Sequence, residues 1–536
     1  MTADNAAPAM RYETLFGRRV VRCFADRPCS LWALFSETAA ALPDGDAVQW
    51  EPEGSLTYDE VLRQATAIAN GLHILGLRSG ERIATLVSNR PEYILIALAA
   101  WRIGAVLVPL DVRLQRAEIQ HILDHAGAKM VLVETALAGA IDRAVLPALE
   151  QVIMLEGGDQ GGVPFAQLLA DPAEPPVAPP GEEDMAAILY TSGTSGVPKG
   201  VVLSHINMVH SAMHFEMVWQ LPRGSRSMLA IPGTNVTGLV TIILTMLRIG
   251  GCVVILPPFK AAEFLRIAEK RRINHTFMVP AQYKLLLMVP NFEEFDLSSW
   301  VLGSTGGAPM PAAFIEELQQ RIPTLQLSDG YGATELASPA IIRPPALTRQ
   351  HPDAIGLPVA CADVLVMDEY GIEVPAGEPG ELWIKGPMVC REYWRDPETT
   401  DLNFIDGYWR SGDIASRDAQ GIFRLHDRKK DIVNRGGYKI YSAEVEHVLA
   451  LHADVAEVAI IPKPDNVLGE RVHAVLHLRT GTASIDDLRA FTADRLADYK
   501  VPESFTILDQ PLPRNSNGKI VKRALRDQLF GGPVPA

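Results

Sequence analysis

Apolar runs and polar breaks alternate along most of the chain, which predicts alternating strands and helices. Leu95–Asp111, "LIALAAWRIGAVLVPLD", is typical of a buried helix followed by Gly104 and an apolar strand. Ile242–Pro258, "IILTMLRIGGCVVILPP", repeats this order, including Arg-Ile-Gly. Strands that are apolar on both faces indicate a buried parallel sheet, and therefore an α/β fold. The repetition predicts two similar α/β subdomains, although any helix–glycine–strand unit of a buried sheet would share the pattern.

Two stretches are candidates for boundaries. "DPAEPPVAPPGEED" (171–184) is too rich in proline for a helix or a central strand, so it is either a linker or an exposed loop. From Lys430 to Ala536 the chain has 14 Lys and Arg against 14 Asp and Glu, whereas the whole chain has a net charge of −15. This change coincides with "DRKKDIVNRGG", which suits a hinge. We therefore predict a domain over residues 1–429 and a smaller one over 430–536.

Composition narrows the class of protein. The chain has 536 residues, of which 48% are hydrophobic, so it is long enough for at least two domains. Its acidic balance argues against a general nucleic-acid binder. The most apolar stretch, Val240–Leu256, is interrupted by Arg248 and two glycines, and the N-terminus lacks a signal-peptide pattern. We expect a cytoplasmic enzyme without a transmembrane segment, although a soluble binding protein fits these numbers equally well.

One loop has the composition of a phosphate-binding site. "ILYTSGTSGVPKGV" (188–201) is not a Walker A loop, because Pro198 stands where the second glycine is needed. The loop nevertheless follows an apolar strand-like run, Met185–Tyr190. Its glycines allow backbone N–H groups to converge, and its hydroxyls and lysine can contact phosphate oxygens. A flexible Ser/Gly linker is the alternative. The predicted phosphate contacts are Thr191, Ser192, Gly193, Thr194, Ser195, Gly196 and Lys199.

This loop and several later motifs together carry a family resemblance. "YTSGTSGVPKGVVLSHINMV" is followed in order by "STGGAPM", "DGYGATE", "GELWIKGP", "YWRSGD", "DRKKDIVNRGGYKIYSAEVE" and "PRNSNGKIVKRAL". This series resembles the adenylate-forming superfamily of acyl-CoA synthetases, luciferases and peptide-synthetase adenylation domains. The resemblance covers about residues 30–526. It implies an α/β fold, with a large N-terminal domain of two similar subdomains plus a β-subdomain, and a small mobile α+β C-terminal domain.

The resemblance also implies a reaction in two halves. A carboxylate attacks the α-phosphorus of ATP, giving an acyl-adenylate and pyrophosphate, and a thiol, usually of CoA, then displaces AMP. Lys519 would bridge the carboxylate and the α-phosphate, Glu335 would hold Mg²⁺, and Thr334 would contact the α-phosphate. Taken alone, a lysine near the C-terminus is usually a solvated residue, and Thr-Glu is an ordinary helix start.

Further roles follow from the same resemblance. Tyr331 would stack on adenine, Asp413 would accept hydrogen bonds from the ribose hydroxyls, and Arg428 would contact the ribose and phosphates. A turn role is the alternative for Asp413, because "SGD" favours turns. The remaining implied nucleotide contacts are Gly307, Ala308, Asp329, Gly330, Gly332 and Ala333. Lys430 would be the domain hinge, and the C-terminal domain would alternate between presenting Lys519 and presenting Gly436 and Gly437, which line the CoA path.

The acyl pocket is implied by mostly apolar segments. Its candidate residues are Asn235, Val236, Met278, Gly306 and Met310. Asn235 stands where many acyl-CoA synthetases have a histidine or an aromatic residue, so the gating role of that position is in doubt. "PGTNVTG" contains no aspartate, which argues against an α-amino acid substrate. Plain core packing is the alternative for each apolar residue.

These observations lead to a function with two alternatives. The favoured function is a stand-alone ligase that joins a hydrophobic carboxylic acid, fatty or aryl, to CoA with ATP and Mg²⁺. The second is an adenylating enzyme that loads an acyl carrier protein, and the third is a non-catalytic nucleotide-binding relative. No nucleic acid partner is expected, and a homodimer is left open.

Overall fold

The computed structural model describes residues 8–157, 161–171, 173, 175–191, 198–256, 258–308, 310–479, 482–514 and 520–531. The chain divides into two compact units. The first comprises Met1–Val364 and Ile384–Arg410, and the second comprises Leu365–Trp383 and Ser411–Ala536.

The first unit contains two large sheets that are mainly parallel. In one sheet the described strands follow the spatial order Glu392–Tyr393, Lys199–Ser204, Met185–Thr191, Val106–Leu110, Arg82–Leu86, Ala128–Val133, Gln151–Met154 and Val163–Pro164. Every residue of the strand Val106–Leu110 is buried. Helices that cover both faces of a parallel sheet explain why this strand is apolar throughout.

The second sheet supplies most of the candidate site. Its described strands follow the order Leu357–Pro358, Ser338–Arg343, Gln326–Ala333, Leu302–Gly306, His275–Met278, Arg226–Leu229, Cys252–Ile255, Asp46–Trp50 and Gly54–Thr57. The strands from Gln326–Ala333 to Asp46–Trp50 are parallel to one another, and the strands that flank this run on either side pair with it antiparallel. A core that includes Phe264, Tyr283 and Trp300 is buried with this sheet.

Helices alternate with these strands, as the sequence predicts. Tyr58–Ile74 begins at a capping box, in which the Thr57 hydroxyl accepts from the backbone N–H of Glu60 and the Glu60 carboxylate accepts from that of Thr57. The helices of the first unit are Leu31–Ala41, Tyr58–Ile74, Pro91–Arg102, Arg116–Ala126, Phe165–Leu168, His205–Trp219, Thr245–Ile249, Ala261–Arg271, Pro280–Leu287, Ala312–Arg321, Pro345–Thr348 and Pro397–Asn403, with a π-helix at Thr237–Leu244. A two-stranded ribbon joins Met10–Leu15 and Arg19–Phe24.

The helix–glycine–strand pattern that repeats in the sequence occurs once in each of the two large sheets. Gly104 separates Pro91–Arg102 from Val106–Leu110, and Gly250 separates Thr245–Ile249 from Cys252–Ile255. Both glycines have left-handed backbones, with φ of 71° and 73°. A glycine ends each helix because that conformation strains residues that have a Cβ. The prediction of two similar α/β subdomains is confirmed.

The second unit has its own sheet and helices. Its strands follow the order Tyr438–Ile440, Val433–Arg435, Gly469–Leu478 and Val455–Asp465, with Ser504–Leu508 parallel to Gly469–Leu478. Its helices are Ser442–Ala450, Ile485–Ala493 and Lys522–Phe530. Val433, Ile440, Val445, Leu449 and Leu476 belong to one buried core, so this α+β unit has a hydrophobic centre of its own.

A smaller sheet completes the β structure. It contains Asp363–Met367, Gly380–Lys385, Tyr408–Arg417, Phe404–Ile405 and Phe423–Arg428. The predicted fold class, an α/β protein with added β and α+β parts, is confirmed. The precise boundary at Lys430 stays a prediction. Within the described part of the chain, we find no helix with the length and apolar character needed to cross a membrane.

Candidate active site

The carboxyl ends of three neighbouring parallel strands bring several predicted residues together. Met278 pairs with Thr305, the residue directly before Gly306, and Gly306 pairs with Gly330 on the third strand. Tyr331 follows directly. Ligands of open α/β sheets bind beyond the carboxyl ends of the strands, so this edge is where a nucleotide site is expected.

Gly306 and Gly307 are adjacent at this edge, and glycine is needed at the two positions for different physical reasons. A Cβ at Gly306 would lie 2.7 Å from the carbonyl oxygen of Gly330 and 2.9 Å from the Phe277 ring, so only glycine fits between these strands. Gly307 has φ of 78°, and a Cβ there would meet nothing within 4 Å. The backbone at Gly307 and Ala308 is exposed, which leaves it accessible to a ligand.

The predicted acyl-pocket methionines are part of the hydrophobic core. Met278 and Met310 are both buried in the cluster that contains Phe264 and Trp300. Val236 is also buried. The packing alternative therefore describes the positions of these side chains, and a part in acid recognition stays a prediction.

Asp329 and Tyr331 lie on the strand Gln326–Ala333, and both are buried. Burial raises the pKa of Asp329 to about 6, although the Arg343 guanidinium 3.7 Å away opposes this shift. Gly332 belongs to the tight pairing with the next strand, where a Cβ would collide with the carbonyl oxygen of Ser338. The half-buried Gly330 and Ala333 flank this segment.

Thr334 and Glu335 form a short 3₁₀ turn, Thr334–Leu336, at the end of this strand. The Tyr393 hydroxyl donates a hydrogen bond to Glu335 Oε1 at 2.9 Å. The indole N–H of Trp409 donates to the Tyr393 oxygen at 3.3 Å. The Cys390 N–H also donates to the Glu335 carbonyl at 2.7 Å. Burial, and then the negative charge of Glu335, raise the pKa of Tyr393, so its phenol stays protonated and can donate.

Lys199 lies near the same tyrosine. Strand pairing sets Tyr393 opposite Val201, two residues after Lys199. The Lys199 ammonium lies 5.7 Å from the centre of the Tyr393 ring and 3.5 Å from the Thr399 hydroxyl. The predicted metal ligand therefore contacts the hydroxyl of Tyr393, and the predicted phosphate-binding lysine lies near the ring of the same side chain. Thr191 pairs with Lys199 where the antiparallel strands Met185–Thr191 and Lys199–Ser204 meet.

Asn235 has a local structural role that the sequence did not reveal. Its side-chain Oδ1 accepts a hydrogen bond from the Gly238 N–H at 2.8 Å, and its carbonyl accepts from the Leu239 N–H at 2.9 Å. These bonds satisfy N–H groups at the start of the π-helix Thr237–Leu244. A π-helix is rare and often marks a functional site.

Two neighbouring residues, Asn89 and Tyr93, hold the segment before this π-helix in place. The Asn89 side chain donates to the Ile231 carbonyl and accepts from the Gly233 N–H, at 2.9 and 2.8 Å. The buried Tyr93 hydroxyl donates to the Gly233 carbonyl at 2.8 Å. Both residues belong to the sequence "SNRPEY" (88–93). Polar residues directly before an apolar helix were the sequence signal that could have identified them.

In the second unit, Asp413 and Arg428 face each other. They are paired across two antiparallel strands, and Arg428 Nε lies 3.3 Å from Asp413 Oδ1. The Asp413 N–H also donates to the Ser411 hydroxyl at 3.0 Å, and Gly412 has φ of 70°. Asp413 therefore lies within the strand Tyr408–Arg417, so the turn alternative is wrong, and its carboxylate is held in place by an arginine.

The remaining predicted residues have simpler surroundings. Lys430 is exposed in the 3₁₀ turn Lys429–Asp431, and its carbonyl accepts from Arg526 at 3.4 Å. Gly436 and Gly437, with φ of 55° and 92°, form the turn between two short strands. Ser192, Gly193, Thr194, Ser195, Gly196 and Lys519 lie outside the described residues.

Comparisons with known proteins identify the family. The model of the AMP-binding enzyme family matches residues 35–394, and that of its C-terminal domain matches residues 444–519. The chain is 36% identical over 478 residues to a feruloyl-CoA synthase of Amycolatopsis sp., covering 89% of this chain and 94% of that protein. It is 32% identical over 482 residues to the long-chain-fatty-acid–CoA ligase FadD13 of Mycobacterium tuberculosis, covering 90% and 94%.

A solved structure agrees with these matches. The O-succinylbenzoate CoA synthetase MenE of Bacillus subtilis, in complex with ATP and magnesium, superimposes with a TM-score of 0.82 at 25% identity, covering 92% of this chain and 99% of that one. The chain thus has the architecture of adenylate-forming enzymes, with a large N-terminal and a small C-terminal domain. It belongs to the AMP-binding enzyme family, among the AMP-forming acid–CoA ligases.

Proposed function

We propose that this ligase activates a hydrophobic carboxylic acid, fatty or aryl, as an acyl-adenylate and then transfers the acyl group to CoA. The observation that carries this proposal is the convergence of Glu335 and Lys199 on Tyr393, beside the carboxyl ends of the parallel strands. That arrangement combines a carboxylate and a cation near the predicted nucleotide site. The apolar surroundings of Val236, Phe277 and Met310 favour a hydrophobic acid, as do the acids named in the relatives.

The first half-reaction forms a bond between a carboxylate oxygen and the α-phosphorus of ATP, and it breaks the bond from that phosphorus to the β-phosphate oxygen. Pyrophosphate leaves with its charge. Because an anion attacks a polyanion, fixed cations and donors must stabilise the developing charge. We assign Lys519 to bridge the two reactants, Thr334 to donate to the α-phosphate, and Lys199 to the pyrophosphate side.

Magnesium fits the donors at Glu335. Among the described residues there is no group of three or more His, Cys, Asp or Glu that could form a protein-only metal cage. Mg²⁺ is commonly bound through one or two carboxylates together with substrate phosphates, so a single glutamate beside the phosphates suits it. When bound, the ion would neutralise phosphate charge. The Tyr393 hydrogen bond fixes the orientation of the Glu335 carboxylate for this role.

The second half-reaction transfers the acyl group. The CoA sulfur attacks the carbonyl carbon, a C–S bond forms, the bond to the AMP oxygen breaks, and the thiol proton is released. Asp413, oriented by Arg428, suits two adjacent ribose hydroxyl donors. We assign Gly436 and Gly437 to the CoA path because glycines permit close backbone approach.

The decisive experiment supplies the purified chain with ATP, Mg²⁺ and a panel of fatty and aryl acids, with and without CoA. AMP formation that needs both an acid and CoA supports the proposal. Turnover with an acyl carrier protein in place of CoA would instead support the carrier-loading alternative. Absence of acid-dependent pyrophosphate exchange with every acid, in a chain that binds ATP, would contradict the proposed reaction.

A further inference from the structure

A cavity of about 200 Å³ lies on the first unit, beside Lys199. Three segments form its walls: the C-terminal half of the helix Arg116–Ala126, the start of the strand Lys199–Ser204, and residues 394–396. The lining residues are His121, His125, Pro198, Lys199, Gly200, Trp394, Arg395 and Asp396. Apart from Lys199, none of these residues belongs to the predicted adenylation machinery.

The cavity is dominated by cationic and proton-binding groups. Lys199 and Arg395 carry positive charges, and the stacked imidazoles of His121 and His125 lie 5.7 Å apart. Asp396 is the one acid among the lining residues, and its carboxylate already accepts the Thr399 N–H at the start of the helix Pro397–Asn403. Because burial lowers the pKa of His125, the positive balance comes from Lys199 and Arg395 against the single Asp396, and this balance suits an anion.

Arg395 is held in place at a cost. Its φ of 53° is left-handed, a conformation that residues with a Cβ rarely adopt. Its guanidinium donates to the His125 carbonyl at 3.1 Å and stacks on Trp394, 5.4 Å from the ring centre. Arg82 stacks on the same indole at 5.6 Å, so two like charges share one ring. Backbone outliers cluster at functional sites, so this one, beside two cations, is consistent with a ligand site.

We propose that this cavity, the Arg395 pocket, binds a diphosphate group. The spread of cations suits a ligand with several charged oxygens rather than a single one. Since Lys199 borders both the Arg395 pocket and the predicted phosphate loop, pyrophosphate released by adenylation is the favoured ligand. The diphosphate of CoA has the same chemistry. The source of the diphosphate rests on the proposed function, whereas the pocket itself does not.

The test measures binding of inorganic pyrophosphate to the full chain by isothermal titration calorimetry, with EDTA, without a carboxylic acid, and with a saturating non-hydrolysable ATP analogue. We expect one equivalent of pyrophosphate to bind. Arg395→Asn should weaken this binding about tenfold, the effect of one charge-assisted hydrogen bond. Asparagine tolerates the left-handed backbone, so this variant removes the charge without added strain.

Arg272→Asn is the matched control, because Arg272 also has a left-handed backbone, with φ of 49°, and is exposed at the end of another helix. It should bind pyrophosphate as the wild type does. Competition by CoA assigns the pocket to the CoA diphosphate, and its absence assigns the pocket to free pyrophosphate; both outcomes support a diphosphate site.

Three results would overturn the proposal: no pyrophosphate binding when the ATP analogue is present, equal binding by wild type and Arg395→Asn, or orthophosphate binding as tightly as pyrophosphate. Because no turnover is needed, loss of binding with intact acid-dependent AMP formation contradicts the Arg395 pocket alone. Binding without any AMP formation contradicts the proposed function alone.

Discussion

At the scale of single residues, Tyr393 connects two predicted motifs, because its side chain lies beside both Glu335 and Lys199. It donates to Glu335 at 2.9 Å and receives a hydrogen bond from Trp409. Tyr393→Phe removes this donor and leaves the ring beside Lys199. We expect the KM for MgATP to rise about tenfold, because a hydrogen bond to a charged group contributes about 1.5–3 kcal/mol. In the same variant, Mg²⁺ should strengthen the binding of an ATP analogue less than it does in the wild type, as measured by calorimetry.

Tyr58→Phe is the control for this effect. Tyr58 is also buried, and its hydroxyl donates to the Gly251 carbonyl at 2.7 Å. Both variants should lose about 1 kcal/mol of unfolding free energy, but only Tyr393→Phe should change the Mg²⁺ dependence. If the two variants bound the ATP analogue alike, Tyr393 would not be a positioning residue for Glu335.

Gly306 provides a second test at this scale. A Cβ would lie 2.7 Å from the Gly330 carbonyl oxygen, so Gly306→Ala must push apart the two strands that carry the predicted nucleotide contacts. We expect a loss of about 1–3 kcal/mol of stability together with weaker ATP-analogue binding. Gly224→Ala, at an exposed turn with φ of 77° where a Cβ meets nothing, adds backbone strain without a steric clash and should leave that binding unchanged.

At the scale of elements, the helix His205–Trp219 holds three buried histidines. His205, His210 and His214 accept backbone N–H groups from Leu31, Phe24 and Cys361, at 3.2, 3.2 and 3.3 Å. The accepting nitrogen of each imidazole must therefore carry no proton, so each ring is neutral. Burial lowers the pKa of His205 to about 3 and that of His210 to about 4.

These shifts predict acid sensitivity. The unfolded chain binds protons at these histidines near pH 6.5, whereas the folded chain does not bind them until about pH 4. The unfolding free energy should therefore fall as the pH decreases below 6.5, by up to about 1.4 kcal/mol per pH unit and histidine. Asp329 and Glu446, whose pKa values burial raises, oppose this trend, but they are fewer than the three histidines. Urea unfolding at pH 7.0 and 5.5 measures the difference, and equal midpoints would contradict it.

The elements also indicate what the sequence could predict. The apolar pattern was sufficient for the helix–glycine–strand units, because burial on both faces leaves a simple signature. It could not predict that Tyr393 meets Glu335, since that contact depends on the pairing of Tyr393 with Val201. The apolar pattern also could not predict the π-helix after Asn235. In a segment that is apolar at nearly every position, a π-helix and an α-helix give the same sequence pattern. Motif residues were identifiable, whereas the residues that orient them were not.

At the scale of the molecule, the predicted division of labour assigns Lys519 to adenylation alone. By the family resemblance, the C-terminal domain would present Lys519 for the first half-reaction, and Gly436 and Gly437 for the second. Lys519→Ala should therefore abolish acid-dependent pyrophosphate exchange, since the charge between two anions is lost. It should retain most of the wild-type rate of acyl-CoA formation from supplied acyl-adenylate. Quenched-flow assays of the two half-reactions measure this split.

Lys522→Ala is the comparison that tests whether the split is specific. Lys522 is a second lysine of the same segment, but its ammonium donates to the Ser442 hydroxyl and pairs with Glu446 at 2.7 Å, inside the second unit. Its loss should lower the stability of that unit and reduce both half-reactions to a similar extent. If Lys519→Ala also reduced both halves equally, the alternation of two catalytic faces would be contradicted, because one lysine would then serve the whole reaction from a single arrangement.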